Sequence, residues 1–334
     1  MKRSTYLLGA LLLVGLAGLG CNKAGKLGEH SKESKPPAGP VEFKLLWPLG
    51  ERVEQDMDLK MKMDINVPGQ PATMHQDMSM GQNYGLTVLQ ANPDGSHEIE
   101  LDFLSTRMTM KMEGGKAGAK PMEYDSSKKS DKPGPFDMLG KIVGAKIQYF
   151  LDASNEVERV EGVSQMMDRF TSTPNSQGAG FARGMFNDDY FKQLMKVNLL
   201  LPGKPVQPGD SWPVQWDSSA GPMGAMSMNF DCTFERWEMH GQRNCARLEF
   251  QGTVQSKPGE KSPVPMQIQD GSCTGIAWFD PELGLTIDTT MNENFTMIMQ
   301  IPQPRQGKSK DAPATQSLTN QMQMVVDVKL VSVK

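Results

Sequence analysis

The 334 residues predict a mainly β protein of the α+β kind. Its long antiparallel strands form two duplicated sheet halves or half-barrels, with one main helix and one short helix. Three observations carry this prediction. Apolar and polar residues alternate over runs longer than a single short strand. Gly/Pro/Asn/Asp clusters separate the runs, Asn92-Pro93-Asp94-Gly95 among them. The order of strands and turns in the first half returns in the second.

Taken in order, the chain opens with an address. Lys2 and Arg3 precede an apolar run from Tyr6 to Leu19, and the sequence turns polar directly after Cys21. This is the layout of a secretory signal peptide. The run is shorter than the ~20 apolar residues that a membrane-spanning helix needs. A lone Cys behind such a leader resembles a bacterial lipoprotein signal, in which the matching residue, Cys21, is acylated and becomes the mature N-terminus. Gly18 and Gly20 also fit the small-x-small rule of ordinary signal cleavage, which leaves Cys21 unacylated. The expected location is the bacterial cell envelope, with the membrane as partner through the lipid. Residues 21–42 are rich in Gly, Lys, Ser and Pro and read as a flexible tether.

From Glu42 the pattern has period two. Met57, Leu59, Met61, Met63 and Ile65 share one face, and Asp58, Lys60, Lys62 and Asp64 the other. Val67-Pro68-Gly69-Gln70 is a turn. Met78, Met80, Tyr84, Leu86 and Val88 follow in a second strand, then Ile99, Leu101 and Phe103 in a third. There the phase slips by one, to Met108, Met110 and Met112, so a bulge is expected near Leu104. Residues 113–137 read as a loop around Met122 to Ser126. A hairpin runs from Ala145 to Val160 and turns at Asp152-Ala153-Ser154-Asn155. A short helix is expected over Val163 to Phe170, capped by Ser164. Residues 171–184 are linker. Asn187 caps the main helix, with Asp188 and Asp189 in its first turn and Tyr190, Leu194 and Val197 as its apolar stripe.

The second half answers the first. Gly209-Asp210-Ser211-Trp212 matches Gly50-Glu51-Arg52-Val53. The hairpin turning at His240-Gly241 matches the one at Asp94-Gly95. Trp278 to Leu285 matches Phe150 to Val157. Strands over 286–301 and 320–333 flank a polar loop. The resulting division is leader 1–20, tether 21–42, N-terminal β repeat 43–175, linker and helix 176–205, and C-terminal β repeat 206–334.

Composition excludes some functions. Loss of Lys2 and Arg3 with the leader takes the formal charge from −4 to −6, which argues against nucleic acid as a partner. Cys232, Cys245 and Cys273 allow one disulfide in an oxidising compartment, by any of three pairings. Their spacing is not that of a zinc site. G-x-S-x-G and H-E-x-x-H are missing from the sequence, no G-x-x-x-x-G-K in it is followed by Ser or Thr, and with four His the chain is read as a non-enzyme. Asp188/Asp189 is a helix start rather than an acid/base pair, and Tyr124-Asp125-Ser126-Ser127 is a loop without a His.

Leu201-Pro202-x-x-Pro205-Val206-x-Pro208-Gly209-Asp210-Ser211-Trp212, Glu123-Tyr124-Asp125-Ser126 and Glu156-Val157-x-x-Val160-Glu161-Gly162 resemble an uncharacterised family of secreted bacterial lipoproteins. The resemblance covers most of 43–333. It implies an envelope location and a β architecture, and it carries over no catalytic residue. In outline the chain is also similar to curved-sheet carriers of lipoproteins and lipids.

Methionine is the anomaly, at 26 residues. Met61/Met63, Met78/Met80, Met108/Met110/Met112, Met226/Met228, Met297/Met299 and Met322/Met324 each place thioethers on one strand face. One reading is plain core filler. A second is a flexible wall for an apolar ligand, with Met61, Met63, Met78, Met80, Met108, Met110 and Tyr124 as its contacts. A third is Cu(I), which favours thioethers, on Met74, His75, Met78 and Met80. Apart from Cu(I) and the covalent lipid, no cofactor is implied. The expected function is a binding or carrier module for an apolar small molecule or another envelope protein. The alternatives are an interaction lipoprotein without ligand and a periplasmic Cu(I)-binding protein.

Overall fold

The computed structural model describes residues 39–66, 73–114, 120–128, 136–171, 187–195, 200–219, 225–257, 266–302 and 315–334. The leader, Cys21, the tether up to residue 38, the turn at 67–70, most of the 171–184 linker and Val197 lie outside them.

The strands are β1 (Arg52–Asn66), β2 (Met74–Ala91), β3 (His97–Glu113), β4 (Met122–Asp125), β5 (Lys146–Leu151) and β6 (Val157–Glu161). Helices α1 (Val163–Thr171) and α2 (Asp188–Leu194) follow. Then come β7 (Ser211–Ser219), β8 (Ala225–His240), β9 (Arg243–Ser256), β10 (Met266–Asp280), β11 (Leu285–Pro302) and β12 (Thr315–Val333).

All twelve strands belong to one antiparallel sheet, ordered β6-β5-β3-β2-β1-β12-β11-β10-β9-β8-β7, with β4 paired to β3 off this path. The two halves therefore lie side by side in one sheet. The splice is the long ladder between the first and last strands, in which Met61 faces Met324. The edges, β6 and β7, do not pair with each other, and α2 packs against both. A sheet whose two edges reach one seven-residue helix must curl strongly, as right-handed twist over many strands favours.

Residues 41–47 close one end of the curl. Val41 and Val206 exchange backbone hydrogen bonds of 2.7 and 2.9 Å. Phe43 packs between Phe234 and Phe279, with centroids at 5.2 and 5.1 Å. Trp47 Nε1 donates to Asn155 Oδ1 at 2.8 Å, in the turn between β5 and β6. The segment thus ties the C-terminal half of the sheet to the far edge of the N-terminal half. The alternation read from Glu42 is a strap here, and strand begins only at Arg52.

Alternation gives the sheet one dry and one wet face. In β1, Val53, Met57, Leu59, Met61, Met63 and Ile65 are buried on the inner face. On the outer face Arg107 pairs with Asp56 and Asp58, and Arg52 with Asp102. The bulge falls where the phase slip puts it. Asn83 faces Ser105 and Tyr84 faces Phe103, so Leu104 is the extra residue.

Three local expectations change. Met122–Asp125 is a strand, because β3 has a free edge beyond its pairing with β5. Helix α1 begins at Val163, so Ser164 sits inside its first turn, and Gly162 supplies the carbonyl that accepts from Met166 N–H at 3.0 Å. Gly162 has φ +93, and a Cβ there would collide with the Lys146 carbonyl. Helix α2 stops at Leu194. Its expected cap holds: Asn187 Oδ1 accepts from Tyr190 N–H at 2.8 Å.

Candidate functional site

Strand register assembles the inner face from residues far apart in sequence. One row reads Phe230, Gly252, Cys273, Glu293, Met324, Met61, Met78, Met110 and Met122, each directly opposite the next on the neighbouring strand. The last five are methionines on β12, β1, β2, β3 and β4. Such opposed residues hold their Cβ atoms about 4.5–5.5 Å apart. The adjacent row runs Met291, Val326, Leu59, Met80, Met108 and Tyr124.

The seven expected ligand contacts therefore share one surface. Met61, Met78 and Met110 lie in the first row, Met80, Met108 and Tyr124 in the second. Met63 lies one row beyond the first, opposite Met322 and Gln76. All six methionines are buried, and Tyr124 is half-buried. Helices α1 and α2 cover part of this surface. Between sheet and helices lies a cavity of about 10 Å³ lined by Met80, Gln82, Phe103, Thr106, Leu139, Ile142, Met166, Tyr190 and Phe191. That is room for about one water, so the native side chains fill this place.

The expected copper set does not come together. Met78 and Met80 point inward, with Met74 in the same phase. His75 falls in the opposite phase, on the outer face, where its Nδ1 lies 2.6 Å from Asp64 Oδ1. Odd and even positions of a strand face opposite ways, so a His beside Met74 in sequence is removed from it in space.

No disulfide joins the three cysteines, which are free and buried. Cys232 faces Phe250, Cys245 faces Glu238, and Cys273 faces Gly252 and Glu293. No ladder places two of them opposite each other. Burial pushes all three thiols up to about 12, which keeps them protonated and weakly nucleophilic.

Two groups escaped the sequence reading. Glu293 is wholly buried, and neither carboxylate oxygen has a hydrogen-bond partner among the described residues. Burial pushes its carboxyl up to about 8. A signal was present: Met291, Glu293, Phe295 and Met297 share one phase, so a charge sits where apolar residues belong. The second group is an outer-face cluster. His240 Nε2 lies 2.7 Å from Asp288 Oδ2, and its ring stacks on Trp278 with centroids 4.3 Å apart. Cys245 lies nearby on β9, but its Sγ donates to the Arg243 carbonyl at 3.7 Å. The protonated thiol and that bond leave the trio without an activated nucleophile. The β10–β11 ladder brings Asp288 to the cluster by setting it opposite Trp278.

A separate cleft of about 440 Å³ opens beside edge strand β7, lined by Leu201, Pro202, Gly203, Lys204, Trp212, Pro213, Val214 and Gln215. The Leu201–Trp212 motif builds it, and Trp212 Nε1 donates to the Leu200 carbonyl at 3.1 Å.

Among solved structures, a lipovitellin chain studied for its lipid–protein interactions aligns over 86% of this chain, with 8% identity and a TM-score of 0.45. This chain spans 26% of that one. A DUF1329 family protein from Desulfovibrio piger aligns over 83% of this chain and 85% of its own, with 11% identity and a TM-score of 0.14. DynF, from the dynemicin biosynthesis pathway of Micromonospora chersina, aligns over 94% and 95%, with 6% identity and a TM-score of 0.20. No curated protein matches the sequence. The description "Family of unknown function (DUF6263)" matches residues 94–292, more than half of the chain, and the protein belongs to that family.

Proposed function

We propose that this protein is a non-catalytic binding module of the bacterial cell envelope, anchored by lipid on Cys21, that takes an apolar ligand against its methionine-lined inner face. One observation carries the reading. A single apolar face runs across the curled sheet, and around Met80 two short helices cover it where another sheet would otherwise pack. Walls built of Met80, Met108 and Met166 repack at low cost, because an unbranched thioether side chain has several accessible rotamers. A ligand would enter by displacing those side chains and the α2 stopper, not by filling a standing void.

The filled space between sheet and helices favours a second reading, an interaction lipoprotein whose partner is another envelope protein and whose methionines are filler. Native mass spectrometry of the protein extracted from envelopes separates the two. An apolar adduct that leaves on mild activation supports the carrier. A bare chain that stays unliganded when offered phospholipid, fatty acid and detergent-solubilised membrane extract sinks it. The N-terminal peptide tests the anchor: the reading requires a diacylated Cys21, and a free Cys21 would make the protein secreted and untethered.

A further inference from the structure

The row through Met324, Met61 and Met78 has a feature that filler does not need. These three methionines occupy consecutive strands β12, β1 and β2 and are directly opposed in register, with Met61 in the middle. The next residue on the β12 side is Glu293, on β11 opposite Met324. Beyond Glu293 comes another sulfur, that of Cys273. A buried carboxyl with neither oxygen partnered among the described residues, flanked on each side by sulfur, is costly in an apolar core. Buried polar atoms of this kind ask for a partner or an ion.

We propose that this row holds one soft monovalent metal ion, Cu(I) in kind, on the thioethers of Met61, Met78 and Met324, with Glu293, next along the row after Met324, as counter-charge. Thioethers are soft, neutral donors and select Cu(I) over hard cations. Three neutral donors leave the ion's single positive charge uncompensated, and Glu293 cancels it by releasing its proton to solvent as the ion enters. Charge also places the site along the row. Met110 and Met122 extend the thioethers on the β3 side, but Glu293 stands only at the β12 end. Opposed Cβ atoms about 5 Å apart let three flexible thioethers turn toward a common point above Met61. No standing void is required, because the ion takes the place of sulfur–sulfur packing.

The site lies where the first and last strands pair, and none of Met61, Met78, Met324 and Glu293 lines the helix-covered cavity at Met166 and Phe191. Met61 and Met78 also belong to the face offered to an apolar ligand, so metal titration, and not ligand binding, decides this proposal. It also differs from the Met74/His75 set, which strand alternation splits between two faces.

The test is anaerobic Cu(I) titration of the full chain carrying Cys21→Ser, against a chromogenic Cu(I) chelator, with native mass spectrometry for stoichiometry. One equivalent is expected. Met61→Leu/Met324→Leu, which nearly conserves volume, should weaken binding about 100-fold, and Glu293→Gln about tenfold. Cys232→Ala/Cys245→Ala and Met226→Leu/Met228→Leu should bind as the parent does. X-ray absorption should show sulfur around the copper. Thermal unfolding of each metal-free variant checks that it folds. Should Met61→Leu/Met324→Leu misfold, Met61→Leu alone replaces it, with about a tenfold loss expected. The proposal is overturned by no binding, by undiminished affinity in the Met61 variant, or by loss of the ion in the Cys232/Cys245 variant.

Discussion

Helix α2 is the piece that reaches both edges of an open sheet, and Phe191 is its deepest side chain. The ring is 1% exposed and meets Phe103 of β3 edge-on, with centroids 6.4 Å apart. Tyr190 packs against it at 5.1 Å. Phe191→Ala removes roughly 100 Å² of buried apolar surface, about 2.5 kcal/mol at ~25 cal/mol per Å². A void of about 90 Å³ adds roughly 2 kcal/mol at ~24 cal/mol per Å³ where the walls stay put. Met80 and Met166 line the same cavity and can close part of the void. The expected net loss is about 3–4 kcal/mol. Guanidinium unfolding followed by tryptophan fluorescence reads the global loss. Hydrogen exchange over 187–195 reads whether the helix has come away from the sheet instead. A loss below about 1 kcal/mol with unchanged exchange over 187–195 would refute the assignment of α2 as the element that seals the two edges.

Three further outcomes follow from the same coordinates. Glu293 keeps its proton to about pH 8 in the folded metal-free chain, whereas the unfolded chain releases it near 4.5. The native state then binds more protons across that window, so stability falls as pH rises from about 4.5 to 8, by an amount on the order of 4 kcal/mol. Chemical denaturation of metal-free parent and Glu293→Gln should diverge over this window, with the variant more stable above pH 8; parallel curves count against a buried, unpaired carboxyl. Asn187→Ala removes the α2 cap bond and should cost about 1 kcal/mol, read by urea unfolding, with no loss if the helix start lies elsewhere. At Gly252 an added Cβ would collide with the Asn229 carbonyl and Phe230 Cα, so Gly252→Ala should cost about 2–3 kcal/mol by the same assay; a neutral change would show that β8 and β9 are more loosely paired than their ladder implies.

Much of this fold was legible because strand chemistry is local. Period-two alternation identified β1, β2 and β3 and the face each buries, and a one-residue phase slip located the bulge at Leu104. Asn187 was readable as a cap because an Asn ahead of two acidic residues meets the needs of a helix start. The misses have local competition as their cause. Met122–Asp125 read as loop because four residues carry too little pattern to outweigh their polar flanks, and pairing with β3 decided it. Glu42 to Leu49 alternates like a strand, yet Phe43 and Trp47 are pegs in a strap.

The candidate sites divide in the same way. Alternation alone determined that Met61, Met63, Met78, Met80, Met108 and Met110 face inward, and that their phase is the apolar one. The same alternation puts His75 on the face opposite the methionines and Glu293 on theirs. Only the tertiary structure decided which residues meet. Met324 lies 263 positions from Met61 in the numbering, and nothing local records that the last strand pairs with the first. Side-chain direction along a strand follows from backbone geometry two residues at a time. The order of strands follows from which edges are left to pair once the whole chain has curled, and that is a property of no single segment.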